Sequence, residues 1–414
     1  MSEQLGFGGD AGGKGLTSLF RSLILLLFVG GLAAFFLINP AKWLPSQIPE
    51  LLLVRVNATP DLQAWLEDAR RRFLANSPRV AGRPLSLSID YEEDTVASKG
   101  IAEWLQQGAT PASAPLTDGV WLTSRTAVQL METTHRTQVS DKALHVLAST
   151  MLTVIMWAPR ARDVLPAAMA VPSRSQPLSW NDVDISWVAW HNLSIRPAMG
   201  SLSQQAPVRW AIPHPLRSAA GLASLMLMSL GDAGPQSVRW PDEPAEQQLL
   251  PWLSDFLRTV HRFRPSARET ADDLIKYGPA LADVALLPEH LALEALAHAA
   301  ERPGPGGVVL YPRVNIAYEY VCIEVSGAAA QPLQREAFAA FRHYLRSEEG
   351  QRLGLAHGLR STLADLTPRP MDPWQRFNAQ GAQYTPQVIW TDVRAIVEPA
   401  SRLATRVMER LDRR

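Results

Sequence analysis

Residues 51–75 read LLLVRVNATPDLQAWLEDARRRFLA, and this stretch sets the fold class. The apolar run at 51–58 is typical of a buried strand and stops at Thr59 and Pro60. Thr59 is suited to cap a helix, with Pro60 at its first position. One face of that helix carries the apolar side chains Leu62, Trp65, Leu66, Ala69 and Phe73. A buried strand followed at once by an amphipathic helix is the repeating unit of α/β proteins.

The same alternation continues outward from this stretch. Strands are predicted at 85–91, 118–124, 151–159, 208–214, 281–288, 308–312 and 317–325. Helices are predicted at 92–108, 125–134, 218–230, 247–263, 289–300 and 335–358, the last closed by Gly358. Residues 160–205 are irregular and rich in Trp and Pro, and no repeat of fixed period is present. This order predicts parallel sheets covered by helices, in two α/β lobes.

The composition excludes several classes of protein. The 414 residues include 40 basic and 40 acidic side chains, so the chain has no general attraction for nucleic acid. The single cysteine, Cys322, excludes an internal disulfide and any multi-cysteine metal site. It lies in the apolar run YEYVCIEV, which predicts a buried strand thiol and not a nucleophile.

The N-terminal region carries the strongest local signal. Residues 22–38, SLILLLFVGGLAAFFLI, carry no charge, and with their flanks they nearly reach the ~20 residues that span a bilayer. Bulky Phe35 and Phe36 lie where a signal peptide would need a small-residue cleavage site, which favours an uncleaved anchor. Lys14 and Arg21 precede the run, so we expect a cytoplasmic tail (1–18), an anchor (19–38), a linker (39–49) and an extracytoplasmic remainder.

Signatures of catalysis are missing from the sequence. The nine histidines are scattered and form no HExxH motif, and no GxSxG elbow is present. The glycine-rich PGPGG (303–307) follows a predicted helix and precedes a predicted strand, the reverse of a phosphate-binding loop. We therefore expect no catalytic residue, no metal site and no cofactor.

Three stretches carry a resemblance to a known family: REAFAAFRHYLRSEEGQRLGLAHGLRS (335–361), LADVALLPEHLALEAL (281–296) and PHPLRSAAGLASLMLM (213–228). Through them, residues 50–365 resemble the bacterial extracellular solute-binding proteins of the type II periplasmic fold, especially the molybdate/sulfate-like branch that serves ABC transporters. The resemblance implies a two-lobed α/β fold, type II periplasmic-binding-protein-like, behind the single N-terminal transmembrane helix. We expect lobe 1 at about 50–160 and 308–365, lobe 2 at about 161–307, and a C-terminal extension (366–414) packed on the domain.

The resemblance implies a membrane-anchored receptor that captures a small-molecule or anion ligand between its lobes and passes it to an ABC permease. The sequence departs from the family in NATPDL (57–62) and at Ala219 and Ala220, where relatives carry hydroxyl or glycine residues. These departures weigh against tetrahedral oxyanions. They also favour an alternative function, an envelope structural or signalling module that binds a protein partner on the same scaffold.

Candidate ligand-binding residues lie where strands lead into helices. A helix start leaves N–H groups unpaired, which suits an anion at Ser218 and Ala219, and the Arg217 guanidinium can add a charge-assisted contact. Thr59 and Ser98 hold comparable positions in the first lobe. Each hydroxyl has the alternative role of a helix cap, and Arg217 that of a solvated surface charge.

Two further candidates are of other types. Trp121 is one of several strand tryptophans, with Trp157, Trp187, Trp190 and Trp210, that can stack on a sugar or a cation or can fill the core. Asp283 and Glu289 flank a predicted strand and can meet a ligand amine. The helix dipole alone also explains a carboxylate at Glu289.

Overall fold

The structure, a computed structural model, describes residues 26–27, 51–107, 120–158, 160–161, 208–230, 240–241, 243–302, 306–324 and 332–413. Within these ranges no helix is both long enough and apolar enough to cross a bilayer. The predicted tail, anchor and linker lie outside the described residues, apart from Leu26 and Leu27. Most of the irregular middle, including Trp187 and Trp190, also lies outside them.

The strands are short. They are β1 (Leu52–Ala58), β2 (Arg79–Val80), β3 (Arg83–Tyr91), β4 (Val120–Ser124), β5 (Leu144–Thr150), β6 (Leu152–Trp157), β7 (Trp210–Ala211), β8 (Val284–Pro288), β9 (Gly307–Leu310), β10 (Val314–Ile316), β11 (Tyr318–Glu324) and β12 (Ile389–Thr391).

The helices alternate with them along the chain. They are α1 (Gln63–Ala75), α2 (Asp94–Gln107), α3 (Arg125–His135), α4 (Ala219–Ser229), α5 (Glu243–Leu257), α6 (Ala267–Tyr277), α7 (Glu289–Ala300), α8 (Pro332–Arg346), α9 (Glu348–Ala356), α10 (Pro373–Arg376) and α11 (Val397–Asp412).

Two sheets define two lobes. In lobe 1 a six-stranded sheet has the order β2-β3-β1-β4-β11-β5, with β1 parallel to β3 and β4, and β11 antiparallel to β4 and β5. In lobe 2 a four-stranded sheet has the order β7-β8-β6-β9, with β7 parallel to β8 and β6 antiparallel to both of its neighbours. The predicted two-lobed α/β architecture is confirmed, and its sheets are mixed rather than purely parallel.

The crossings between the lobes are short. β5 ends at Thr150 in one sheet and β6 begins at Leu152 in the other, with only Met151 between them. The return passes from β9 through β10 to β11. Because β6 and β9 belong to the sheet of lobe 2, the crossings lie at 150–152 and 311–317 and not near 160 and 307. The sequence hides this difference because the runs on both sides of each crossing are equally apolar.

Local expectations hold in part. Thr59 makes no capping hydrogen bond, the helix predicted at 247–263 ends at Leu257, and α6 lies in no predicted element. The predicted helix 335–358 is divided into α8 and α9, because Ser347 adopts an extended conformation and its Oγ accepts a hydrogen bond from Gly350 N at 3.3 Å. Gly358, with a φ of 79°, follows α9 as the expected helix stop. Cys322 is buried in β11, and burial raises the pKa of its thiol to about 12, as expected of a thiol that is not a nucleophile.

A C-terminal strap, residues 366–413, covers both lobes. Its strand β12 pairs in parallel with β10, near the crossing. Its helix α11 contacts α3 in lobe 1 and both α4 and α5 in lobe 2. The buried face of α11 is formed by Val397, Ala400, Leu403, Ala404, Val407 and Met408. The predicted C-terminal amphipathic helix is therefore present and packs on its own domain.

Glu289, the first residue of α7 in lobe 2, ties the strap to the crossing. Its carboxylate is fully buried and accepts hydrogen bonds from Tyr311 Oη at 2.5 Å and from Trp374 Nε1 in the strap at 2.9 Å. It also pairs with the Arg360 guanidinium, whose Nε lies 2.9 Å from Oε2. Arg360 in turn exchanges backbone hydrogen bonds with Ser149 at the end of β5. Glu289 therefore has a structural role here.

Candidate ligand cleft

The carboxyl ends of β1 and β3 in lobe 1 face the starts of α4 and α6 in lobe 2, and we call the space where they meet the cleft. Three carboxylates of lobe 1 contact residues of lobe 2 across this cleft. Asp94 Oδ2 accepts a hydrogen bond from Ala219 N at 2.8 Å, and Asp61 Oδ1 accepts one from Arg268 N at 3.0 Å. Glu93 pairs with Arg217, with Nη2 2.7 Å from Oε1. These contacts across the cleft are all polar, and on the lobe 2 side two of the three are made by backbone N–H groups.

The start of α4 is shaped by its own sequence. Ser218 is extended, with φ −121° and ψ 131°, and its Oγ accepts a hydrogen bond from Gly221 N at 3.4 Å. A Cβ at Gly221 would lie 2.5 Å from Pro213 O, so only glycine allows the helix to pack on the loop before it. Ser218 is therefore a helix cap, and its neighbour Ala219 presents the N–H that meets Asp94.

Asp94 lies at the centre of the lobe 1 side of the cleft. Burial raises the pKa of its carboxyl group, and hydrogen bonds from the Ala219 amide and from the hydroxyls of Thr59 and Thr123 oppose that rise. Thr123 Oγ1 lies 3.3 Å from Asp94 Oδ1. One turn along α2, Ser98 Oγ donates to the carbonyl of Asp94 at 2.5 Å. Of the two predicted hydroxyl residues, Thr59 thus supports the Asp94 carboxylate, and Ser98 bonds only the backbone of α2 and α3.

Asp61 forms the second polar centre. Burial, followed by the nearby charge of Asp94, raises the pKa of Asp61 to about 8, although the Arg268 amide and guanidinium favour the charged form. His290, the second residue of α7, places Nε2 2.9 Å from the carbonyl oxygen of Asp61. Burial lowers the pKa of His290 to about 4, so its ring is neutral at pH 7. The edge of Tyr320 in β11 packs on that ring, with centroids 5.6 Å apart.

The structure brings together most of the predicted site residues. Thr59, Ser98, Arg217, Ser218 and Ala219 all lie in the cleft, around the carboxylates of Glu93 and Asp94.

Trp121 and Asp283 lie elsewhere. Trp121 is 1% exposed and packs in a small second core of lobe 1, with Ile101, Val128 and Ile323. Asp283 precedes β8 at its amino end, away from the cleft, where Oδ2 accepts a hydrogen bond from Arg209 N at 2.9 Å. The described tryptophans Trp157 and Trp210 are also core residues.

Sequence reasoning overlooked the acidic residues of the cleft. A search for hydroxyl and glycine residues at strand ends passed over Asp61 and over Glu93 and Asp94, which follow β3 in the motif EEDT. The position of this motif directly after a strand was a usable signal. The partners Arg268 and His290 had no local signal, because they lie 207 and 229 residues from Asp61.

Within the described ranges, no cluster of three or more His, Cys, Asp or Glu side chains has the arrangement of a metal site. The described groups of the cleft are carboxylates from lobe 1 that meet helix N–H groups and arginines from lobe 2.

Comparisons with solved structures agree with this architecture. The chain is 16% identical to the sulfate-binding protein SubI from Mycobacterium tuberculosis H37Rv, with a TM-score of 0.50, covering 83% of this chain and 95% of that one. It is 12% identical to the substrate binding protein of an ABC transporter from Agrobacterium tumefaciens, with a TM-score of 0.53 and coverages of 88% and 96%.

A third similar structure is the periplasmic binding protein AfuA from Actinobacillus pleuropneumoniae with exogenous fructose-6-phosphate bound, at 10% identity, a TM-score of 0.55 and coverages of 88% and 99%. At such low identities these likenesses concern the fold alone. No curated protein matches the sequence. The family described as bacterial extracellular solute-binding protein matches residues 54–360, which is most of the chain. The chain therefore belongs to the bacterial extracellular solute-binding proteins.

Proposed function

We propose that the chain is a membrane-anchored, extracytoplasmic receptor that captures a small solute between its two lobes and presents it to an ABC-type permease. The observation that carries the proposal is the polar character of the cleft. Lobe 1 and lobe 2 meet there through the contacts of Asp94 with Ala219, Asp61 with Arg268 and Glu93 with Arg217. Such hydrogen bonds exchange readily with those of a ligand or of water, so the lobes can part and close around a solute.

The anchor and the location rest on sequence. The uncharged run at 22–38, preceded by Lys14 and Arg21, supports a membrane span over 19–38 with the two lobes outside the cell. In that arrangement the domain stays close to a permease in the same membrane.

The test is a thermal shift of the full chain, purified in detergent, against oxyanions, sugars, amino acids, polyamines and divalent metal salts. A ligand at 100 times its Kd stabilises the folded protein by about 2.7 kcal/mol, which is a shift of a few degrees. We expect one class to produce this shift in the wild type. Ser218→Asp, which adds a carboxylate beside Asp94, should abolish the shift.

Ser347→Asp is the matched control, because Ser347 caps a helix outside the cleft in the same way. Aspartate is itself a good cap, so both variants should fold. Loss of the shift in both variants, or in neither, would contradict a binding site at the start of α4.

A second function, a module that binds a protein partner, is favoured by one observation: carboxylates of the chain itself already occupy the N–H groups at the starts of α4 and α6. Native-state hydrogen exchange separates the two functions. A receptor must open, so the amides of Ala219 and Arg268 should exchange through a local opening, well below the free energy of global unfolding. Exchange of these amides only by global unfolding, with a flat ligand panel, would favour the module.

A further inference from the structure

We propose that Asp61 and Asp94 make the cleft selective for a solute that carries a cationic hydrogen-bond donor, an ammonium or guanidinium group, and make it reject oxyanions. This inference rests on the proposed function, since it assigns the class of solute to the same cleft.

The helix starts of lobe 2 are the positions in the cleft where an anion would bind. A helix start binds an oxyanion through its free backbone N–H groups. In lobe 2 the starts of α4 and α6 are already satisfied by a carboxylate: Ala219 N lies 2.8 Å from Asp94 Oδ2, and Arg268 N lies 3.0 Å from Asp61 Oδ1. The start of α7 places the His290 ring against the Asp61 carbonyl. Both aspartates are 3–5% exposed. An oxyanion would have to displace both carboxyl groups from these N–H groups and then remain beside them.

Several buried polar atoms next to these contacts have no hydrogen-bond partner. The buried polar atoms of the described residues that have no hydrogen-bond partner include Asp61 Oδ2, His290 Nδ1 and the hydroxyls of Tyr318 and Tyr320. The Ala267 amide lies near the Asp61 carboxyl and favours its charged form, but Oδ2 accepts no hydrogen bond of good geometry. Buried polar groups in folded proteins are nearly always paired, so these atoms indicate a missing partner.

The protonation of these atoms decides whether the missing partner is a hydrogen-bond donor or an acceptor. His290 Nε2 faces a carbonyl oxygen, which only accepts, so Nε2 carries the proton and Nδ1 of the neutral ring is an acceptor. In its ionised form, which a bound cation favours, Asp61 Oδ2 is an acceptor as well, whereas the hydroxyls of Tyr318 and Tyr320 can donate or accept. The two atoms that only accept, Nδ1 of His290 and Oδ2 of ionised Asp61, therefore call for a donor.

The electrostatics of Asp61 also favour a cationic donor. Burial and the neighbouring Asp94 raise the pKa of Asp61 to about 8, so this carboxyl is mostly protonated at pH 7 and is ionised when a positive charge is placed beside it. A cationic donor between the lobes would supply both the missing hydrogen bonds and the missing positive charge. A neutral solute would supply only the hydrogen bonds.

The experiment measures thermal shift and Kd for the full chain in detergent with four probes: spermidine, L-arginine, sulfate and phosphate. We expect the wild type to respond to at least one of the two cationic probes and to neither oxyanion. Asp61→Asn should weaken that cationic binding about tenfold to a hundredfold, the usual effect of losing a hydrogen bond to a charged group. The control Asp255→Asn, an exposed carboxylate on α5, should leave the Kd within about twofold.

A double variant tests the rejection of oxyanions by a gain of binding. In Asp61→Asn with Asp94→Ala, the N–H groups of Ala219 and Arg268 lose their carboxylate partners, and a sulfate response should appear. A far-ultraviolet circular dichroism spectrum like that of the wild type shows that the variant is folded. A folded double variant without a sulfate response would overturn the assigned role of the two carboxylates.

The responses of the wild type to the probes test the solute class and the receptor function separately. A wild type that responds to sulfate or phosphate overturns the solute class and leaves the receptor function standing. A response to a divalent metal salt and to neither amine does the same. A wild type that responds to no probe, including the wider ligand panel, overturns the receptor function and the solute class with it.

Discussion

The cleft and the C-terminal strap both join lobe 1 to lobe 2, and they do so by opposite means. In the cleft the contacts are hydrogen bonds and ion pairs, such as those of Asp94 with Ala219 and Glu93 with Arg217. Under α11 of the strap the buried contacts are apolar, with Leu403, Ala404 and Val407 fully buried. Polar contacts can be replaced by water or a ligand at little net cost, whereas apolar surface cannot be exposed without a loss of stability. The cleft is thus suited to open and the strap to hold.

The strap contacts lobe 1 and lobe 2 through different features. A cavity of about 570 Å³ lies between α3 of lobe 1 and the start of α11, and its lining includes Gln129, Glu132, Arg394 and Val397. On lobe 2 the strap is fixed by the apolar face of α11 and by Arg406, which pairs with Glu246 of α5 at 2.6 Å. On lobe 1 the strap is held by hydrogen bonds from Arg352 Nη1 to Thr367 O at 2.8 Å and from Arg360 Nη2 to Gln383 O at 3.0 Å.

The largest expected effect lies where the strap meets the crossing. Arg360→Ala leaves the Glu289 carboxylate buried without its charged partner, and breaking a buried pair in this way costs about 3–5 kcal/mol. Urea unfolding of the full chain in detergent measures the loss. Arg402→Ala, on the exposed side of α11, should change the stability by no more than about 0.5 kcal/mol. Equal effects of the two variants would contradict a structural role for Glu289.

The apolar face of α11 comes next. Leu403 is fully buried, so Leu403→Ala should lower the free energy of unfolding by about 2–5 kcal/mol through lost burial and a new cavity. The same urea titration applies. Leu363→Ala, at a leucine that is 37% exposed, makes the same chemical change and should cost clearly less. If Leu403→Ala cost less than Leu363→Ala, the strap would not be a stabilising element.

The pH dependence distinguishes the cleft from the strap. Since the pKa of Asp61 is raised from 3.8 to about 8, its stabilising contribution is full below pH 3.8 and is lost as the pH rises through about 8. His290, lowered from 6.5 to about 4, acts in the opposite sense, but only below pH 6.5. Between pH 6.5 and 8 the wild type should therefore lose stability relative to Asp61→Asn.

The measurement is the free energy of unfolding of both proteins at pH 6.5, 7.2 and 8, with Asp255→Asn as a surface control. A difference between the wild type and Asp61→Asn that stays constant over this window would show that Asp61 does not titrate there. Asp255→Asn should follow the wild type throughout.

The smallest expected effect belongs to the ion pair at the mouth of the cleft. The Arg217 side chain is 53% exposed, so its pairing with Glu93 should contribute only about 0.2–1 kcal/mol. A double-mutant cycle with Arg217→Ala and Glu93→Ala measures the coupling energy. A coupling as large as the loss in Arg360→Ala would remove the contrast between an opening cleft and a holding strap.

Sequence reasoning succeeded with many local signals but not with all of them: it missed α6, although Ser266 caps that helix. The strand–helix unit at 51–75, the cap at Ser218, the stop at Gly358 and the amphipathic C-terminal helix all depend on residues within a turn or two of one another. It failed at Ser347, where a residue that also fits a helix interior caps a new helix instead. It also misjudged Trp121 and Asp283, since a strand residue does not reveal which face or end of the sheet it will occupy.

The sequence by itself therefore determined the types of the elements, their buried faces and the residues that begin and end the helices, because periodicity and capping act over a few residues. The tertiary structure decided which strand ends face which helix starts. Asp94 meets Ala219 from 125 residues away and Asp61 meets Arg268 from 207 residues away. Such contacts depend on how the two lobes pack against each other, and no local pattern encodes that packing. The carboxylates that define the cleft could be recognised only once the chain was folded.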